Sequence, residues 1–179
     1  MKSLIIVLSL ISAACMAASG ALSLKGLPLG ATEDQVREKY PNLKCAGESE
    51  RRVCKLAENE TENETVAGVK VTLMQYLFFD GKLASIQVGT PAKKFSQIVT
   101  ALSDYYGSPA SDRPKQSSTE TGHKFTNREL IWDLPGGQIS IEQIGRRADL
   151  SVTTYSSKEG IMHALRGVDA TRKKASSDF

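Results

Sequence analysis

The chain has 179 residues, of which 40% are hydrophobic and 24% are charged, and its formal net charge is +3. This composition matches an average globular protein and argues against a disordered or fibrous chain. So small a basic excess gives little support to nucleic-acid binding, which normally needs a concentrated basic surface. The length suffices for one ordinary domain or two very small ones.

A short basic start and an apolar stretch open the chain. Lys2 precedes an uncharged run over 4–14, and small residues follow it. This layout is typical of a secretory signal, so we expect residues 1–21 to be a signal peptide and the protein to be periplasmic or secreted. No stretch of the mature chain approaches the length of a membrane span, so we expect no transmembrane segment. A lipid anchor at Cys15 is a competing interpretation, although Ser12 stands where lipoprotein signals usually carry Leu or Val.

Two cysteines, Cys45 and Cys54, lie beyond the predicted signal. In an oxidising compartment this pair predicts a single disulfide, and two free thiols are the alternative. A metal site is less favoured, because no histidine lies nearby and a structural zinc site needs four ligands. A redox pair would need the tighter C-x-x-C spacing. We therefore expect no metal and no cofactor.

The first elements follow from local signals. Residues 22–30 predict a short strand or an extended lead-in, and Thr32 with Gln35 has the spacing of a capping box. The box predicts a helix of about two turns, which ends before Pro41. Residues 42–65 are polar and predict a loop with an acidic run, interpreted either as a solvated tip or as a docking finger. Acidic residues of this loop and a basic pair in a later turn are the candidate partner-binding positions: Glu58, Glu60, Glu62, Glu64, Arg146 and Arg147.

The middle of the chain predicts a hairpin followed by a helix. Asp-Gly at 80–81 stands between two β-rich runs, 69–79 and 82–88, and predicts a type I′ turn. Thr90 is expected to cap the second helix, which a glycine at Gly107 should end. The apolar residues of this helix recur at helical spacing and predict its buried face: Phe95, Ile98, Val99, Leu102 and Tyr106.

The second half predicts mostly strands. Residues 108–122 are polar and predict a loop. Four strands should follow it, over 123–126, 129–134, 138–144 and 150–155. Trp132 is expected in the core, with a partner-binding anchor as the alternative interpretation. Residues 158–179 predict a weakly helical or disordered C-terminal tail.

Together these elements predict an α+β fold. We expect residues 22–157 to form a single domain, with an antiparallel β-meander sheet and two helices packed on one face. The segment 80–89 can be laid over 136–145, with glycine, aliphatic residues and glutamine recurring in order. A degenerate tandem helix–β-meander repeat is one interpretation, and chance similarity between two hairpins is the other.

The sequence Gly-Leu-Pro-Leu-Gly-Ala-Thr at 26–32, the short helix, and a meander with the turn pattern F-x-D-G-K-L carry a resemblance. Together they resemble the repeat unit of the β-lactamase-inhibitor-protein-like fold, which small bacterial envelope proteins of the outer-membrane-assembly type share. The resemblance covers residues 24–156 in outline and implies a curved sheet used for protein contacts. The helix–turn–helix pair of that family is missing or shortened in the first half of this chain.

No catalytic constellation stands out. His123 and His163 lack a neighbouring cysteine or carboxylate at metal spacing, and no G-x-S-x-G elbow occurs. We therefore expect a non-catalytic protein-binding module, inhibitor-like or an envelope-assembly accessory, whose partner is another envelope or secreted protein. A cell-wall-directed hydrolase with a non-standard site is the alternative, motivated by His123 and scattered carboxylates. A structural protein without a specific ligand is a third possibility.

Overall fold

The computed structural model describes residues 22–166 except 49, 119–121, 123 and 146. The predicted signal peptide, the alternative anchor at Cys15, His123, Arg146 and the end of the predicted tail lie outside the described residues. Within the described part, no helix has the length and apolar character needed to cross a membrane.

Strands dominate the described residues. The helices are α1 (Glu33–Lys39), α2 (Glu58–Thr61), α3 (Phe95–Tyr106), which a 3₁₀ turn at Ala92–Lys94 precedes, and α4 (158–166). Two short hairpins are formed by β1 (Ser23–Leu24) with β2 (Leu27–Pro28) and by β5 (Thr65–Val66) with β6 (Val69–Lys70). The remaining strands are β3 (Lys44–Glu48), β4 (Arg51–Lys55), β7 (Leu73–Phe79), β8 (Lys82–Pro91), β9 (Ser111–Ser118), β10 (Lys124–Leu134), β11 (Gly137–Glu142) and β12 (Leu150–Ser157).

These eight strands form one antiparallel sheet in the order β3-β4-β7-β8-β12-β11-β10-β9. The first four are a meander that follows α1, and the last four are a meander that follows α3. The two meanders meet where β8 pairs with β12, with Ile86 opposite Tyr155. The prediction of an α+β fold with an antiparallel β-meander sheet is confirmed.

One face of the sheet carries the hydrophobic core. Directly opposed residues of neighbouring strands form a row across this face: Cys45, Cys54, Tyr76, Ile86, Tyr155, Ile139 and Trp132. All of them except Cys45 are 3% exposed or less. Val36 of α1 and the inner face of α3 belong to the same core cluster. Because side chains alternate along a strand, the residues between those of the row point to the opposite face.

Several local predictions are confirmed. The backbone N–H of Gln35 donates to Thr32 Oγ1 (3.3 Å), and the Gln35 side chain accepts from the Thr32 N–H (2.9 Å), which is the predicted capping box. Asp80 (φ 47°) and Gly81 (φ 72°) both have the positive φ that a type I′ turn requires. The helix α3 ends at Tyr106 with Gly107 as its C-cap, as expected. Three of the five residues predicted for its inner face are buried, and the other two, Val99 and Tyr106, are half-buried and pack against the core.

The predicted loops at 42–65 and 108–122 are wrong. The first contains β3, β4 and α2, and the second contains β9, which pairs with β10 from Ser111 to Ser118. β3 and β9 are the edge strands of the sheet, so one side of each faces no other strand of the described residues. Backbone pairing holds these polar segments in the sheet, and their side chains need not alternate between apolar and polar.

Two further boundaries differ from the predictions. Thr90 does not cap a helix, because it lies in β8 opposite Ser151 and α3 begins only at Phe95. The two strands expected over 123–126 and 129–134 are one strand, β10, since β9 pairs with it without interruption.

The predicted C-terminal tail begins as the packed helix α4. Gly160 lies so close to β8 that a Cβ there would be 2.5 Å from the Ala84 carbonyl oxygen. The His163 ring stacks on Phe79, with the two ring centroids 4.5 Å apart. These contacts fix α4 to the hairpin of β7 and β8.

Asn127 completes the backbone pairing where β11 ends. Its side chain is buried, with 1% exposed. Its amide donates to the Ile144 carbonyl oxygen, and its Oδ1 accepts from the Ile144 N–H (2.9 Å) and from the Arg128 N–H (3.0 Å). One side chain thereby satisfies both backbone groups of Ile144.

We expect Asn127→Ala to lower the free energy of unfolding by about 1–3 kcal/mol, because it removes the partner of partly buried backbone groups. Urea unfolding measures the change. Asn59→Ala is the matched control, since the Asn59 side chain is exposed on α2. Equal effects of the two substitutions would contradict this role of Asn127.

Burial also makes the core sensitive to alkali. Desolvation raises the pKa of Tyr76 and of Tyr155, because the ionised phenolate is disfavoured in the core. The folded protein therefore binds the phenol protons of these two tyrosines more tightly than the unfolded chain does. The stability that they contribute is present below the ordinary tyrosine pKa of about 10 and is lost as the pH rises above it.

We expect the urea midpoint of the wild-type protein to fall above about pH 10 and that of Tyr155→Phe to fall less, because the variant has one buried phenol fewer. Unfolding curves at a series of pH values measure both midpoints, each referred to its own value at neutral pH. Parallel curves for the two proteins would contradict the linkage.

Candidate functional site

The face of the sheet opposite the core carries a groove of about 540 Å³. Its centre is formed by directly opposed residues of the three middle strands, Gln75 of β7, Gln87 of β8 and Thr154 of β12. All three side chains are half-buried. Amide and hydroxyl groups both donate and accept hydrogen bonds, so this row offers both kinds of partner to a bound chain.

Apolar side chains flank the polar row: Val53, Leu73, Leu77, Leu150 and Val152. Gly89 lies in β8 directly between Leu73 and Val152. A Cβ at Gly89 would be 2.9 Å from the Leu73 Cβ and 3.6 Å from Leu150 Cδ1. Because glycine has no side chain, Leu73 and Leu150 can pack directly over the backbone of β8 at Gly89.

Charged residues stand at the border of the groove. Arg51, Arg147 and Glu142 contribute to its lining. The Arg147 guanidinium donates to both carboxylate oxygens of Asp149, at 3.1 and 2.8 Å. This bidentate pair lowers the pKa of Asp149 and raises that of Arg147. Of the partner-binding residues predicted from the sequence and described by the structure, Arg147 is the one that lines the groove.

The acidic run does not line this groove. Glu60 and Glu64 are half-buried, with Glu60 accepting from the Asn42 amide (2.7 Å) and Glu64 paired with Lys25. Glu58 and Glu62 are exposed on and beside α2. The segment is folded. Two of its carboxylates form tertiary contacts, and the other two are exposed to solvent.

A disulfide joins Cys45 and Cys54, as predicted, with an S–S distance of 2.01 Å. The two residues are directly opposed in the edge hairpin of β3 and β4. Glu33 of α1 contacts both Arg37 (2.8 Å) and Arg52 of β4 (3.3 Å). The Arg37 guanidinium also lies 3.0 Å from Cys45 Sγ. The hairpin and α1 are therefore fixed to each other.

The disulfide also bears on metal binding. Glu33 and the two cysteines place ligand atoms within 4.8 Å of one another. Both sulfurs are bonded to each other, however, so neither is a thiolate that could bind a metal ion. The neighbouring guanidinium of Arg37 adds a positive charge that disfavours a cation.

The groove residues were not predicted from the sequence. Gln75 and Leu77 belong to an almost continuous apolar run in β7, which indicated a strand and not which face would be open. The alternation of side chains along a strand was the available signal, since it assigns Gln75 and Leu77 to one face.

Comparison of the chain with protein-family models, with curated proteins and with solved structures found no match.

Removing the disulfide should lower the free energy of unfolding by about 2–3 kcal/mol, because the bond restricts the unfolded chain. The variant is Cys45→Ala with Cys54→Ala, and urea unfolding measures its stability. Lys44→Ala, at an exposed position of the same hairpin, is the control and should leave stability nearly unchanged. If the double variant were as stable as the control, the bond would not hold this edge of the sheet.

Proposed function

We propose that this chain is a periplasmic or secreted, non-catalytic protein-binding module that docks another envelope or secreted protein on its open sheet face. An inhibitor or an envelope-assembly accessory would act in this way. The observation that carries the proposal is the groove in which Gln75, Gln87 and Thr154 lie between apolar walls. Protein interfaces combine apolar contact area with groups that form hydrogen bonds, and this groove offers both.

The division of the sheet into two unlike faces supports docking. We propose that α1 and α3 cover the core face, since Val36 and the inner residues of α3 belong to its cluster. Within the described part of the chain, the groove on the opposite face then remains available for a partner. An antiparallel sheet tolerates this arrangement, because its two faces can have different environments.

The strand order also supports a tandem helix–β-meander repeat and the resemblance to the β-lactamase-inhibitor-protein-like fold. Each half has a helix followed by a four-stranded meander, and the last strands of the halves pair at the centre. The overlay of 80–89 on 136–145 matches β8 with β11, whereas the strand order makes β8 equivalent to β12. The proposed repeat therefore rests on topology, and the residue echo does not support it.

The chemistry of the groove supports a role without catalysis. Among the described residues, its ionisable groups are one carboxylate, Glu142, and two guanidinium groups, Arg51 and Arg147. A guanidinium stays protonated, so it supplies neither a nucleophile nor a general base. His163 stacks on Phe79 and does not line the groove.

A photo-reactive amino acid placed at Gln87 tests the docking site in the native envelope. We expect a discrete cross-linked adduct with one envelope protein. The same residue placed at Thr100, which is exposed on α3, should give no such adduct. Leu77→Arg should abolish the Gln87 adduct, because it places a charge in the apolar wall of the groove.

Unfolding curves must show that Leu77→Arg is folded, and Leu77→Gln provides a milder second variant. An adduct at Gln87 that survives both changes, or one that forms equally from Thr100, would contradict docking on the open face. The absence of any adduct from Gln87 would contradict it as well.

A further inference from the structure

A second cleft, of about 740 Å³, lies along α3 and shares no lining residue with the groove of the open face. Its walls come from four separate parts of the chain: α3, the hairpin of β1 and β2, the turn between β5 and β6, and the turn between β10 and β11. Leu24, Ile98 and Leu102 form a buried apolar floor. A cavity of roughly 300–1,000 Å³ with mainly apolar walls is typical of a site for a small organic ligand.

Tertiary hydrogen bonds hold the walls of this cleft in place. The Gln97 side chain of α3 donates to the Ala67 carbonyl oxygen in the turn between β5 and β6 (3.1 Å). The Trp132 indole N–H donates to the Gly107 carbonyl oxygen at the end of α3 (2.8 Å). The helix is therefore fixed near both of its ends, and the cleft is present before any ligand arrives.

Positive charge lies at one end of the cleft. Lys25 lines it, and the Lys25 ammonium pairs with Glu64. The Lys39 ammonium donates to the backbone carbonyl oxygen of Lys25. Lys25 is the charged residue in the described lining of the cleft, so the charge that a bound ligand meets there is positive.

We propose that this cleft binds a single-chain anionic amphiphile of the fatty-acid type. Its hydrocarbon chain would lie along α3 on the apolar floor, and its carboxylate would lie beside Lys25 and Lys39. An apolar chain matches the lining, and a single negative charge matches Lys25 in that lining. This site is independent of the proposed protein-docking groove.

Isothermal titration of the full-length protein with laurate tests the site. We expect one laurate to bind per chain, and dodecyltrimethylammonium, which has the same chain length and the opposite charge, to bind at least about tenfold more weakly. Replacing both lysines, Lys25→Met with Lys39→Met, should weaken laurate by about tenfold and remove this preference. An unchanged preference in the double variant would contradict the role of the two ammonium groups.

Ala101→Trp tests the location, because Ala101 lines the cleft and a larger side chain there would occupy it. We expect laurate binding to fall at least about tenfold. Thr100→Trp, at the exposed neighbouring position, should leave binding unchanged. Laurate that binds Ala101→Trp as well as wild type would lie elsewhere, for instance on residues 1–21, and would overturn the proposal.

Amide chemical shifts of the wild-type protein give a second measurement, which does not depend on a variant that folds. Laurate should shift the signals of Leu24, Ile98 and Tyr105 and leave those of Gln75 and Gln87 unchanged. Shifts confined to the open face, or no shifts at all, would overturn the proposal and would leave the cross-linking test of the docking groove unaffected.

Discussion

The pairing of β8 with β12 is the interaction on which the rest of the structure depends. It joins two four-stranded meanders into one sheet, with Ile86 opposite Tyr155 and Gly89 opposite Val152. The paired residues are distant in sequence, so closing this contact carries a loop-closure cost that local hairpins avoid. The buried row across the sheet offsets this cost, because it becomes continuous only when the two meanders meet.

Side-chain contacts fix both ends of that row. At one end, the disulfide and the contacts of Glu33 hold the hairpin of β3 and β4 against α1. At the other end, Trp132 joins β10 to the end of α3, and Asn127 pairs with the backbone beyond β11. The same register that buries one set of side chains places the alternate set on the opposite face, where the groove forms.

Local sequence patterns were sufficient to predict the local elements, but not the way in which these elements assemble. Thr32 and the Asp-Gly turn at 80–81 specify a cap and a hairpin through contacts between near neighbours, and these were predictable. The edge strands β3 and β9 were not, since backbone pairing with a distant strand defines them and their side chains are polar. The groove likewise depends on which strands become neighbours, so no short segment encodes Gln75 beside Gln87 and Thr154.

Inter-strand nuclear Overhauser effects between residues 85–91 and 150–156 test the central pairing most directly. The register predicts contacts between the backbone protons of Gly89 and Val152, of Ile86 and Tyr155, and of Ser85 and Ser156. Observing these contacts together would establish that the two meanders form one continuous sheet in this register. Two separately folded meanders, with solvent-exchanging amides along the facing edges of β8 and β12 and no contacts between them, would contradict it.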